Sequence, residues 1–321
     1  MELLILITLI IVGFILLIKG ADLLVSGASS LARRFKISEL TIGLTVVALG
    51  TSAPELVVNI ISGSEGHSEV VFGNIIGSNI FNLFLILGVS GTIYPLVVQK
   101  KTVTREVPFS FLATILLFVL LNDTLFGFGE VDRSSTLDGI ILLSLFFIFL
   151  GYVFFSMKSS TDENFGSIQL YSPLSTTLRI ILGLIGLGFG GNLVVENAVE
   201  VAEIFEVSKK MIGLTIIAAG TSLPELATSA VAAYKKQADI AIGNVVGSNI
   251  FNLLLVLGVS TIIHPLEYTN VLNTDIYILL GGTLMLLIFL FTLNSKKLDR
   301  WEAILYLLTF VIYMIYLFHR K

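Results

Sequence analysis

The chain has 321 residues, 55% of them hydrophobic and 13% charged, with a net charge of −4. Soluble domains carry roughly a quarter charged residues, so this composition, with a mean hydropathy of +0.96, excludes a soluble enzyme and a disordered protein. The absence of cysteine removes disulfides, thiolate metal sites and a Cys nucleophile, and no block of basic residues offers itself to nucleic acid.

A membrane-spanning helix needs about 20 mostly apolar residues. Ten stretches qualify. They run near 3–31, 40–62, 70–94, 106–122 and 136–156, then 175–204, 211–233, 239–263, 274–294 and 301–318. The first begins Met-Glu, without a basic n-region or a small-residue cleavage pattern, and reads as a retained helix rather than a signal peptide. The longest polar stretch, Met157 to Pro173, reads as a cytoplasmic linker between two halves.

Alternate loops differ in basic charge. One set holds 13 residues: Arg33, Arg34, Lys36, Lys100, Lys101, Arg105, Lys158, Arg179, Lys235, Lys236, Lys296, Lys297 and Arg300. The other holds 5: Arg133, Lys209, Lys210, Arg320 and Lys321. The positive-inside rule places the first set in the cytoplasm and both termini outside, in a multi-pass cell-membrane protein.

Residues 41–96 align with 211–266 at a constant offset of 170, with 28 of 56 positions identical. Upstream, the same offset pairs Gly20 with Gly190 and Asp22 with Asn192, so the repeat unit is five helices. Five is odd, and a second copy then enters the membrane from the opposite side, the architecture of many secondary transporters. The expected fold is an all-α integral membrane protein of ten transmembrane helices, two inverted five-helix repeats with broken central helices. Residues 1–156 form the first repeat, 157–173 the linker and 174–321 the second repeat of one integrated transport domain.

Identity concentrates in two polar patches. The first is Gly50-Thr51-Ser52-Ala53-Pro54-Glu55, repeated as Gly220-Thr221-Ser222-Leu223-Pro224-Glu225. Proline removes a backbone donor and breaks the helix, freeing carbonyls near Ala48, Gly50 and Thr51, and near Ala218, Gly220 and Thr221. Such carbonyls at membrane depth face protein or a wet cavity, where they can ligate a cation. A mid-membrane carboxylate is expensive unless neutralised, and no Lys or Arg occurs in 37–99, 211–234 or 237–295. Protons or bound cations must neutralise Glu55 and Glu225. The spacing Ser52-x-x-Glu55, with Ser222-x-x-Glu225, is also that of a capping box.

The second patch, Gly73-Asn74-Ile75-Ile76-Gly77-Ser78-Asn79-Ile80-Phe81-Asn82, has its mate in Gly243–Asn252. Ser78 and Asn82 share a helix face, as do Ser248 and Asn252. Both asparagines could also simply bond between helices. The combined oxygen-rich set, free of His and Cys, suits Ca²⁺ or Na⁺ better than zinc, copper or magnesium. Elsewhere, Lys19 and Asp22 have the spacing to pair on the first helix. Glu196, Glu200, Glu203 and Glu206 read as a wet face. Glu65, His67 and Glu69 read as solvated loop, and Trp301 as an interfacial anchor.

The motifs GTSAPEL with GNIIGSNIFN, repeated as GTSLPEL with GNVVGSNIFN, resemble the paired repeats of the calcium/cation antiporter superfamily, and within it the prokaryotic sodium/calcium exchangers. The resemblance covers nearly the whole chain. It implies a central site with overlapping cation positions, in which Glu55 and Glu225 bind both Ca²⁺ and Na⁺. The carbonyls of Thr51 and Thr221 would join them on Ca²⁺. The carbonyls of Ala48 and Ala218, with Ser52, Ser78, Ser222 and Ser248, would serve Na⁺, and Asn82 and Asn252 would complete the middle. It also implies sliding of the first and sixth helices during alternating access. One departure is Asn252, where some relatives, including the potassium-dependent branch, carry Asp.

The function expected is Na⁺/Ca²⁺ antiport, usually extruding Ca²⁺, with Ca²⁺/H⁺ antiport through the same two glutamates as the alternative. A passive channel would not require inverted broken-helix repeats, and an intramembrane hydrolase would need a substrate groove. The expected partners are the transported Ca²⁺ and Na⁺, with H⁺ in the alternative, and the lipid bilayer. No cofactor, obligate protein partner or nucleic acid is expected.

Overall fold

A computed structural model describes residues 2–99, 102–157, 169–206, 218–292 and 296–320. Among them the chain is almost wholly helical. Eight helices are long and apolar enough to cross a membrane, and a bent pair makes a ninth candidate. The first half comprises α1 (Glu2–Phe35), the bent pair α2 (Glu39–Thr51) and α3 (Ala53–Ser64), α4 (Ser68–Ile93), α5 (Thr104–Leu121) and α6 (Thr136–Met157). The second comprises α7 (Pro173–Ile204), α8 (Leu223–Tyr234), α9 (Ala238–Ile263), α10 (Asn273–Thr292) and α11 (Arg300–His319). The span expected at 211–233 is described from Ala218 onward, and the basic loop residues Lys209 and Lys210 lie outside the described residues.

Helix α1 has 34 residues and α7 has 32. At 1.5 Å per residue they measure about 51 and 48 Å, so they must tilt in a hydrocarbon core of about 30 Å. They lie against each other antiparallel along a glycine seam. A Cβ on Gly20 would stand 2.8 Å from Leu187 N and 2.9 Å from Gly183 O. A Cβ on Gly190 would stand 2.8 Å from Gly13 O. Small residues let the two backbones touch, the usual device where lipid supplies no hydrophobic drive between helices.

Helices α4 and α9 are the most enclosed spans, 67% and 78% buried, so other helices shield them from lipid. Each contains a π-helical turn at the same repeat position, Phe81–Ile86 and Phe251–Val256, and α2 contains a third at Gly43–Val47. Such turns mark functional positions because they leave the i→i−4 ladder irregular.

Two short antiparallel ribbons tie the halves together. Strand β1 (Leu96–Val97) pairs with β4 (Lys297–Leu298), and β2 (Arg133–Ser134) pairs with β3 (Leu266–Glu267). Helix α5 separates β1 from β2, and α10 separates β3 from β4. The ribbons therefore sit at opposite ends of the bundle. The repeat mates β1 and β3, offset by 170 residues, belong to different ribbons. Other loop bonds respect the same division. Gln99 Nε2 donates to Asp239 Oδ2 at 2.8 Å at the β1–β4 end, and Asn273 Nδ2 to Asn122 Oδ1 at 2.7 Å at the β2–β3 end.

Candidate ion site

The helix break falls where proline requires it. Helix α2 stops at Thr51, α3 starts at Ala53, and the two are bent by 46°. Ser52 sits between them at φ −84°, ψ 5°. Pro54 has no N–H, so the Gly50 carbonyl loses its i+4 donor. The carbonyl of Ala48 is not the bare oxygen expected: it accepts from Ser52 N at 2.9 Å and, at 3.4 Å, from Thr51 Oγ1. The second repeat breaks alike: the helix described from Ala218 ends at Gly220, and α8 starts at Leu223, with Ser222 at φ −91°, ψ 5°.

Neither serine caps its own helix. Ser52 and Ser222 precede α3 and α8 without a side-chain capping bond. Ser52 Oγ instead donates to Glu225 Oε1 at 2.9 Å, and Ser222 Oγ to Glu55 Oε1 at 3.3 Å. The capping-box spacing is therefore not used, and each glutamate is held by the serine of the other repeat. All four side chains are buried, each 3% exposed or less.

The second patch closes around this exchange. Thr51 Oγ1 lies 3.1 Å from Asn244 Oδ1, and Thr221 Oγ1 lies 3.4 Å from Asn74 Oδ1. Ser78 Oγ donates to the same Asn74 Oδ1 at 3.3 Å. Asn82 Nδ2 donates to Asn249 Oδ1 at 3.0 Å, across the crossing of α4 and α9. The interhelical bond envisaged for Asn82 is thus present, and it uses only the amide nitrogen.

What remains is a set of buried atoms with no hydrogen-bond partner. It includes Glu55 Oε2, Glu225 Oε2, Asn82 Oδ1, Ser248 Oγ and both polar atoms of Asn252. Each unsatisfied buried group costs about 1–3 kcal/mol, more when charged, and native structures keep few of them without a reason. Bare carboxylate, amide and hydroxyl oxygens on four neighbouring helices are a donor set for a hard cation. The sequence supplies no Lys or Arg on these segments to neutralise the carboxylates.

Of the residues singled out from sequence, the structure joins Ser52 to Glu225 and Ser222 to Glu55 directly, ties Thr51 to Asn244 and both Thr221 and Ser78 to Asn74, and bonds Asn82 to Asn249. Ala48 and Ala218 stand one turn before the breaks. Three participants went unassigned at the sequence level: Asn74 and Asn244, which receive the threonine hydroxyls, and Asn249, which holds Asn82. Their identity in both repeats was the available signal. The expected pairing of Lys19 with Asp22 is not the one formed: Asp22 Oδ1 bonds Lys235 Nζ at 2.7 Å on another helix. Glu196 and Glu200 are exposed as expected, and His67 stands 3.6 Å from Glu65 in the solvated loop.

A cavity of 740 Å³ opens beside the site. It lies between the α2–α3 break and α7, reaches Thr51, Ser52 and Pro224, and is walled by Leu184, Phe189 and Asn192 of α7.

Residues 5–155 and 175–319 match the model of the sodium/calcium exchanger protein family. The chain belongs to the sodium/calcium exchanger family. Along its length it is similar to the sodium/calcium exchanger MaX1 of Methanosarcina acetivorans, 30% identical with 97% of each chain covered. It is 37% identical to the inner membrane protein YrbG of Escherichia coli, over 81% of this chain and 80% of that one. Its fold matches the solved sodium–calcium exchanger NCX_Mj soaked without Na⁺ and Ca²⁺, with a TM-score of 0.83, 32% identity and coverage of 98% and 99%. Membership of this exchanger family makes the protein an integral membrane cation transporter.

Proposed function

We propose that the protein exchanges Na⁺ for Ca²⁺ by alternating access, and that Ca²⁺ extrusion driven by the inward sodium gradient is its usual direction. The observation that carries the reading is the reciprocal pair Ser52–Glu225 and Ser222–Glu55, with a bare buried oxygen left on each glutamate. Two carboxylates neutralise one divalent ion or two monovalent ions, and both kinds of ion need the same oxygens. Occupancy by one then excludes the other, and that exclusion is the coupling. The likeness to MaX1 and NCX_Mj favours these two ions.

In this reading Glu55 and Glu225 bind both ions, and the Thr51 and Thr221 carbonyls complete the Ca²⁺ position. The Ala48 and Ala218 carbonyls and the hydroxyls of Ser52, Ser78, Ser222 and Ser248 serve Na⁺. Asn82 offers its free Oδ1, and Asn252 faces the centre without a formal charge. The four hydroxyls favour Na⁺ over H⁺ as the counter-ion, since a proton needs only the carboxylates.

The domain plan follows the repeats: 1–156 and 174–321 as two five-helix units joined by the linker 157–173, in ten spans. Placement of β1 and its mate β3 in ribbons at opposite ends of the bundle supports inversion of the second unit. With the more basic loops in the cytoplasm, both termini face outward.

Flux in liposomes tests the reading. Purified protein is loaded with ⁴⁵Ca²⁺, and a Na⁺ gradient and then a pH gradient are imposed at clamped voltage. Ca²⁺ movement on the Na⁺ gradient is expected. Movement on the pH gradient with indifference to Na⁺ would establish Ca²⁺/H⁺ exchange instead.

A further inference from the structure

The two halves of the bundle are related in sequence but unequally closed. Helix α1 packs along α8, whereas its mate α7 stands off α3 and leaves the 740 Å³ cavity. The closed end carries a polar cluster at the far end of α8. Lys235 Nζ lies 2.7 Å from Asp22 Oδ1, donates to Ser26 Oγ at 2.8 Å and to the Asp22 carbonyl at 3.1 Å. Two residues on, Gln237 Nε2 donates to Ser29 Oγ at 2.7 Å. Asp22, Ser26 and Ser29 lie on one face of α1 at spacings of four and three.

The repeat mates cannot build this cluster. At an offset of 170, Asp22 corresponds to Asn192, Ser26 to Glu196, Lys235 to Glu65 and Gln237 to His67. Glu65 in place of Lys235 would meet Asn192 and Glu196, a pairing with no cation and a like-charge contact. Glu65 and His67 are exposed and stand 3.6 Å from each other. Among the described residues, the cluster at the end of α8 therefore has no counterpart at its repeat mates.

We propose that Lys235 is a positioning residue of the transport cycle. Its bridge to Asp22 and Ser26 latches α1 over one end of the ion path and holds the ion-free carrier open toward the other end. The proposal rests on the alternating-access reading and adds the element that biases it. A bridge present in one state and absent in the other shifts their populations by its differential free energy. Ion binding must then overcome the latch before the site can turn, which keeps the empty carrier from leaking the gradient.

The test uses the absence of native cysteine. Val25 lies on the α1 face beside Asp22 and is fully buried. It is replaced by Cys in the full chain, and reaction with a membrane-impermeant maleimide is timed in Na⁺- and Ca²⁺-free buffer. Val25→Cys is expected to be protected. Adding Lys235→Gln is expected to raise the Val25→Cys rate by about two- to fivefold, the effect of losing a partly exposed ion pair. The swap Asp22→Lys with Lys235→Asp is expected to restore protection. Unchanged rates in Lys235→Gln protein that still binds Ca²⁺ by calorimetry overturn the latch. Labelling needs no transported ion, so failure of Na⁺-driven flux with the labelling shift intact would remove the exchange reading alone.

Discussion

Ser52 and Glu225 are 173 residues apart and share a hydrogen bond of 2.9 Å in the buried centre of the bundle. The serine belongs to the helix break of the first repeat and the glutamate to that of the second. Ser222 returns the contact to Glu55. Neither half can assemble its carboxylate position alone, and a displacement of one break is felt at the other carboxylate. That is the mechanical requirement for one ion-binding event to be registered by both halves of a carrier.

Removing either carboxylate charge removes half of the anionic set. Glu55→Gln and Glu225→Gln are each expected to abolish Ca²⁺ binding measured by calorimetry, while circular dichroism shows a folded protein. Full affinity in both variants would place the site elsewhere.

The cross-repeat serines act on both ions unequally. Ser52→Ala leaves Glu225 Oε1 without its donor and removes a hydroxyl from the monovalent positions. A loss of about 1–3 kcal/mol in Na⁺ binding is expected, with a smaller change for Ca²⁺. Competition of Na⁺ against ⁴⁵Ca²⁺ measures the difference, and equal losses would contradict the assignment of the serines to Na⁺.

Asn252 is buried, with both polar atoms unpartnered. Asn252→Asp would add a third carboxylate to a site that holds two. Ion preference or the pH dependence of flux is expected to change. An unaltered profile would put this side chain outside the ion set.

Outside the membrane, Asp132 fixes the turn between α5 and α6. It accepts from Thr124 N and Thr124 Oγ1 at 2.7 Å each. Burial opposes its ionisation, but these bonds outweigh that penalty and hold its carboxyl below the usual range. A lowered folded-state value contributes stability that is present above the unfolded carboxylate range and lost as pH falls through the folded value. Asp132→Asn is expected to cost about 1–2 kcal/mol at neutral pH and to lose that part of the acid dependence, read by thermal unfolding across an acid titration.

Much of this architecture is legible in one dimension because lipid is an exacting solvent. A span must be apolar for about 20 residues, so helix positions show as runs, and the 170-residue offset exposes the duplication. Pro54 and Pro224 announce the breaks by local chemistry alone. No Lys or Arg stands near Glu55 and Glu225 along the sequence to neutralise them. What spacing along the chain left open was each choice between a near partner and a far one. The spacing of Ser52 and Glu55 fits a capping box, and that of Lys19 and Asp22 fits an i,i+3 ion pair. In the folded chain Ser52 serves Glu225 and Asp22 serves Lys235.

The reason is geometric. Spacing along a helix states which partners are within reach, and it says nothing of a competitor delivered by another helix. Only packing along the Gly20–Gly183 seam and the crossing of α4 with α9 sets those distances. The π-helical turns that begin at Phe81 and Phe251 are of the same kind, since no Gly or Pro in either segment announces them. By itself the sequence determined that a proline-broken, glutamate-bearing segment occurs twice, at an offset of 170 residues. The tertiary structure decided that each carboxylate is completed by the opposite copy, because helix packing brings Ser52 to Glu225 and Ser222 to Glu55.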